Sequence, residues 1–288
     1  MTIGLIFFTV IQNLSAQRFE DYINSYIDLN AESYLRPLSD MITGNLHTGI
    51  REWSSVDSNF HVKLGLVVMA SVPSAEMKTF TATTSLGFTP EQTAVVPTVI
   101  GPNEAVVVEG DNGTIFIFPV GYNMSYLPLA APQITIGGIL NTEISARFFG
   151  FDLKDEVGKI SIFGLGGRHQ LSQYFKSFPL DLSIGYYFQK FNVQPYIFSQ
   201  QHLMTAHLGK SSKLWSGMLT LGLQSSKTQF KYEYGVAPNQ NKYEVNVKGK
   251  YPFFAEISGA VKLWFIQIRG SVGYAGPWNA ALGINVRI

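Results

Sequence analysis

The chain has 288 residues, a formal net charge of +1 and no cysteine. Only 14% of its residues are charged, against roughly 25% in ordinary soluble domains, while aromatics reach 14%, with 21 Phe, 14 Tyr and 27 Gly. These values exclude disulfides, thiolate metal sites, a lipid-modified N-terminal cysteine and any strong global field for nucleic acid, and they suit a sheet that faces lipid outside and a crowded or wet interior.

Residues 1–16 carry the apolar run Ile3 to Ile11, then polar Gln12 and Asn13, then Leu14-Ser15-Ala16. This reads as a signal peptide cleaved before Gln17, although no Lys or Arg precedes the apolar run. The alternative is a buried N-terminal strand or helix. The run is too short to cross a bilayer as a helix, and no longer apolar stretch comes after it. Residues 17–43 are the one helical region: Phe19, Tyr22, Ile23, Tyr26 and Ile27 recur at spacings of three and four. Pro37 and Gly44 punctuate its C-terminal part. Such a helix either plugs a barrel or seals one of its ends.

Strands occupy 44–288. Asn45 to Ser54 is a plausible first one, and Asn59 to Val72 a stronger one, with Phe60, Val62, Leu64, Leu66, Val68 and Ala70 on one face. Met77 to Phe88 is rich in β-prone Thr. Five prolines between 89 and 131 break the rhythm, and a hairpin is expected there between 104–109 and 114–118, around Asp111-Asn112-Gly113. From Pro132 the pattern is a meander: 134–140, 142–151, 159–171, 180–188, 196–208, 214–224, 229–236, 243–249, 253–263, 265–274 and 278–288. The last segment alternates with hardly an error, Trp278, Ala280, Leu282, Ile284, Val286 and Ile288 against Asn279, Ala281, Gly283, Asn285 and Arg287. Its length matches the about 9–11 residues that cross a bilayer as a tilted strand. The expected fold is an all-β transmembrane antiparallel barrel of about 12–14 strands with a short N-terminal helical segment. A soluble sandwich uses shorter strands, and no fixed repeat supports a solenoid.

Opposite the apolar stripes stand Lys63, Glu143, Arg147, Asp181, Lys231, Glu233, Glu256, Lys262, Arg269 and Arg287. In a barrel these point into the lumen, where they either pair across strands as structural filling or line a selective pore. Gly164-Leu165-Gly166-Gly167-Arg168-His169 lacks the Gly-Lys-Ser/Thr of a phosphate loop and reads as glycines inside a strand. The five histidines form no zinc pair, and no Gly-x-Ser-x-Gly elbow is present. No catalytic residue, metal or cofactor is nominated, and an enzyme is not expected. The four tryptophans and many tyrosines suit interfacial girdles.

Asn30-Ala31-Glu32-Ser33-Tyr34-Leu35-Arg36-Pro37-Leu38 resembles a segment found after the signal peptide in uncharacterised outer-membrane proteins of Bacteroidetes. Ala131-Pro132-Gln133-Ile134, Thr142-Glu143-Ile144 and Pro179-Leu180-Asp181-Leu182-Ser183 fit the same resemblance. That group is distantly similar to FadL/TodX-like barrels, which pass hydrophobic molecules past an N-terminal plug. The resemblance implies an outer-membrane location and a passive channel for a small hydrophobic solute; Phe19, Tyr22, Tyr26 and Tyr34, whose aromatic side chains give large apolar area with few rotors, then either contact that solute along its path or anchor the helix to the barrel end. The alternative is a non-transporting barrel that acts as a scaffold or partner in a secretion or surface-attachment assembly. Outer-membrane lipid, and the barrel assembly machinery acting on the C-terminal strand, are the partners implied; nucleic acid is not.

Overall fold

In a computed structural model, residues 30–84, 88–153, 158–175, 178–234 and 241–288 are described. The expected signal segment lies outside them, as do Phe19, Tyr22 and Tyr26. Among the described residues one α-helix, α1 (Ala31–His47), precedes fifteen strands. They are β1 (His61–Val72), β2 (Thr79–Thr83), β3 (Thr93–Pro97), β4 (Val106–Glu109), β5 (Ile115–Phe118), β6 (Leu127–Ile139), β7 (Thr142–Leu153) and β8 (Gly158–Gln170). Next come β9 (Asp181–Gln194), β10 (Ile197–Ser211), β11 (Trp215–Tyr234), β12 (Asn241–Lys248), β13 (Phe253–Leu263), β14 (Ile266–Tyr274) and β15 (Trp278–Arg287).

Ten strands close a barrel in the order β1-β6-β7-β8-β9-β10-β11-β13-β14-β15 and back to β1, every pair antiparallel. Closure leaves no unpaired backbone edge in that ring, the condition for a sheet to stand in lipid. The expectation of 12–14 spanning strands is therefore corrected to ten. Asn45 to Ser54 is not a strand: it holds the end of α1 and an irregular stretch inside the barrel. Among its described residues Met77 to Phe88 supplies only β2, which pairs with β3 in a separate hairpin. The hairpin around Asp111-Asn112-Gly113 forms as β4–β5, with Asn112 and Gly113 at positive φ. The expected strands 214–224 and 229–236 fall, so far as they are described, on one long strand, β11 (Trp215–Tyr234), which pairs with β13 up to Leu223 and with β12 from Lys227 onward.

The lower part of the barrel is inside-out relative to a soluble protein. On β15, Trp278 and Leu282 are 56% and 69% exposed while Asn279 and Asn285 are 1% exposed. The same order holds on β11, where Leu219, Leu221 and Leu223 face outward and Ser216, Thr220 and Gln224 inward. Around the ring, Leu64, Val68, Ile144, Phe148, Leu165, Ile184, Ile257 and Val272 continue this apolar surface. An apolar belt that encircles the molecule far exceeds the patch of a few hundred Å² that a soluble monomer exposes, so its solvent is lipid. Among the described residues no helix is long and apolar enough to cross a membrane.

Higher up, the strands β7 to β11 change sign. Apart from Phe198, outward residues lose their apolar side chains beyond Phe148 on β7, Phe163 on β8, Phe188 on β9, His202 on β10 and Leu223 on β11. Inward there stand the apolar Ile160, Ile162, Phe191 and Phe230, joined by Val247 of β12, beside the uncharged Ser199, Gln201 and Thr228. This half has the polarity of a water-soluble sheet. Its interior packs on Tyr34, Leu35, Leu38, Met41 and Ile42 of α1, and on Met77, Val96, Ile100 and Phe118 of the long β1–β6 connection. The same strands thus leave the bilayer part-way along, at the end that carries the long connection. The opposite end has the tight Leu140-Asn141 turn, both residues at positive φ, the Trp264-Phe265 turn, and the chain terminus, where Ile288 pairs with Val62.

Candidate functional site

Helix α1 lies inside the barrel and packs against β1, β6, β9, β10, β11, β12 and β15. It runs through both Pro37 and Gly44 rather than ending at them. Gly44 is required by closeness: a Cβ there would come within 2.5 Å of the Asn279 side chain on β15. From Leu35 to His47 all but Arg36 are buried. After His47 the chain turns extended and threads down the lumen to residue 58.

This threaded segment has no sheet partner, so its backbone groups need side chains from the wall. Seven strands supply them, β11 through Ser216, whose hydroxyl accepts from Ser54 N at 2.8 Å. Arg147 of β7 donates to the carbonyls of Leu46 (3.1 Å), Thr48 (3.2 Å) and Gly49 (2.6 Å), and to Gln133 Oε1 (2.8 Å). Gln189 of β9 donates to the Leu46 carbonyl as well. A guanidinium at the open carbonyl end of a helix satisfies orphan acceptors and opposes the negative end of the dipole. Gln133 of β6 donates to the Ile50 carbonyl, and Gln267 of β14 to that of Glu52. Arg168 of β8 holds the carbonyls of Trp53 (2.6 Å) and Ser54 (3.3 Å). Glu256 of β13 accepts from Gly49 N at 2.8 Å. Gly49 sits at φ +63°, and a Cβ there would meet the Ala281 methyl at 2.6 Å.

Charges on the segment and the wall interleave. Arg51 pairs with Glu256 at 2.5 Å and lies over the Tyr187 and Phe254 rings. Glu52 faces Lys63 (3.4 Å) and Arg269 (3.2 Å). Glu143 gathers Arg168 (2.6 Å), Lys63 (3.1 Å) and His61 (3.3 Å). Lower down, Ser54 donates to Asp181, and Arg287 closes on Asp57 at 2.6 Å near the short-turn end. Every buried charge of this network has a partner of opposite sign or a set of carbonyls. That is the condition for charge at such depth. The arrangement fastens a plug. Among the described residues no cluster of His, Cys, Asp and Glu has the makings of a metal site.

Residues 1–288, the whole chain, match a single family profile. The chain belongs to DUF6588, a family of unknown function. No curated protein matches the sequence of this DUF6588 chain. Among solved structures it is similar to the CymD monoaromatic hydrocarbon channel, at 11% identity, 80% of this chain, 88% of that one and a TM-score of 0.26. A BenF-like porin from Pseudomonas fluorescens Pf-5 matches at 8% identity, 80% and 98% coverage and a TM-score of 0.19. A mutant of Rh. blastica porin matches at 9%, 80% and 99%, with a TM-score of 0.17. At such scores the functional argument rests on the DUF6588 barrel itself.

Of the charged residues nominated from the DUF6588 sequence, the fold brings Lys63, Glu143, Arg147, Asp181, Glu256 and Arg269 onto the inner wall around the plug. Lys262 and Arg287 stand near the short-turn mouth. Lys231 is a correction: it is exposed on the outer face of β11, over the Phe198 ring and opposite Glu244. The strand has left the apolar belt by that point, so polar no longer means inward. The Glu233 side chain is not among those described. Tyr34 is fully buried, its hydroxyl donating to the Val120 carbonyl at 2.8 Å beneath the long connection. Sequence reasoning missed Arg51, Glu52, Gln133, Arg168, Gln189 and Gln267. Arg168 was legible by parity, being opposite in phase to Phe163 and Leu165; the glycines around it hid the strand.

Proposed function

We propose that this chain is an outer-membrane barrel closed by its own N-terminal segment, which serves as a lumen-filled scaffold presenting the long-connection end at the cell surface. The observation that carries the reading is the attachment of residues 46–56. Side chains from seven strands hold their backbone, and the inner wall that an apolar solute would meet is charged. Charged partners at this depth cost about 3–5 kcal/mol each when one is removed, so the plug is anchored at many points. Long loops lie outside and short turns in the periplasm in barrels of this kind, which orients the cap outward. The C-terminal strand would be the element that the barrel assembly machinery engages.

The test is solute uptake by proteoliposomes. The closed scaffold admits neither small sugars nor a small hydrophobic solute such as a monoaromatic hydrocarbon. Steady uptake of either by the unaltered protein sinks the reading.

A second reading, a FadL-like passive channel for small hydrophobic solutes, draws on a different observation. No residue from 31 to 60 is hydrogen-bonded into the barrel ladder, so each hydrogen bond between plug and wall has a side chain at one end, and breaking those bonds would let the plug shift without opening the sheet. Gly44→Cys with Asn279→Cys would lock it in place in a chain that has no other cysteine. Uptake that the lock abolishes and a reductant restores would establish this second reading over the first.

A further inference from the structure

Just above the apolar belt, outward side chains of four adjacent strands stand in one row. Lys190 of β9 pairs in register with Gln200 of β10, Gln200 with Lys227 of β11, and Lys227 with Lys248 of β12. Neighbouring strands are about 4.8 Å apart, and like charges directly opposite repel. The other lysines of this surface are compensated in register: Lys231 faces Glu244, and Lys159 faces Asp152. The row itself contains no acid, and among the described residues none of its three ammonium groups has an ion-pair partner. Lys190 rests on the Phe188 ring at 5.5 Å.

Directly below the row come Phe188, His202 and Ser225, and then Tyr186, Met204 and Leu223, again in register. The latter three, with Leu221 and Phe253, line an apolar depression of about 710 Å³ on the outer surface of the barrel. A cationic row over an apolar trough matches one kind of molecule. Phosphate meets the lysines, and an acyl chain lies in the trough.

We propose that this row and trough form a binding site for the phosphate-bearing headgroup and one acyl chain of an outer-leaflet lipid. The proposal rests on the outer-membrane reading above. The trough distinguishes a lipid from free phosphate, which has nothing to place there. Juxtamembrane lysines attract anionic headgroups individually and add along a row.

The test is native mass spectrometry of the folded barrel in detergent with added lipid A, either diphosphorylated or dephosphorylated. Folding is read separately from heat-modifiable migration. The unaltered protein is expected to retain the phosphorylated form in preference. Lys227→Gln with Lys248→Gln should lower retention by roughly tenfold or more. Lys210→Gln with Lys213→Gln, an equal change of charge at the opposite end, should leave it unchanged. Equal retention of the dephosphorylated lipid, equal loss in both double variants, or full displacement by inorganic phosphate overturns the proposal. A protein that folds but selects no lipid overturns this site alone. One that never becomes heat-modifiable overturns the membrane reading with it.

Discussion

Arg147 concentrates the account in one side chain. It reaches three carbonyls at the exit of α1 and the amide of Gln133, all buried. Arg147→Ala leaves those acceptors without donors and should cost roughly 3–5 kcal/mol, read by equilibrium unfolding in bilayers. Arg147→Lys should restore only part of this, because one ammonium cannot span the fork that a guanidinium fills. Asp40 offers a pH signature. Burial is the main cause that raises its carboxyl from 3.8 to about 7, although Lys250 N donates to it at 3.1 Å. An acid whose folded pKa is raised contributes stability below its unfolded value and loses it as pH climbs through the folded one. Unfolding free energy should therefore fall between about pH 4 and 7 by at most about 4 kcal/mol, and Asp40→Asn should flatten that slope. A variant with an unchanged slope would assign the titration elsewhere. At this scale the sequence showed which residues oppose the apolar stripe. It did not show Arg51 or Glu52, because irregular backbone carries no period to read.

At the scale of elements, β15 and β1 were legible almost to the residue, since their outward faces stay apolar throughout. β11 was not. Its outward row runs Leu219, Leu221, Leu223, then Ser225, Lys227 and Gln229, so one strand imitates two when apolar alternation is the only guide. The same inversion misplaced Lys231. It also yields a sharp expectation. Leu221→Arg, in the belt, should cost about 2–4 kcal/mol, whereas Ser225→Arg, on the same face of the same strand at the boundary, should cost about 0–1 kcal/mol. Equal costs in bilayer unfolding would mean that the boundary is drawn in the wrong place. β15 pairs with both β1 and β14. Deleting Trp278–Ile288 opens the ring and exposes two edges in lipid. The truncated chain should fail to show heat-modifiable migration and be degraded, while a normal shift would contradict the closed ring.

At the scale of the whole molecule, two polarities share one sheet. The lower half turns its apolar face to lipid and its charges inward; the upper half reverses both. Helix α1 suits this division: its first turns sit in the apolar upper chamber, and its carbonyl end meets the charged lower one. The strand count was overestimated because 45–54 and 77–88 have strand-like composition without a place in the ring, because β11 reads as two strands, and because β12 pairs with β11 alone and stays outside the ring, which only tertiary pairing reveals. The account as a whole claims a membrane-spanning barrel whose lumen is occupied. Planar-bilayer recording tests that claim most directly. Wild-type protein that has inserted, as shown by its heat-modifiable band, should give no resolved conductance steps, while Arg147→Ala combined with Gln189→Ala should give them as the plug loosens. Steady ohmic steps from the wild type would contradict the occupied lumen.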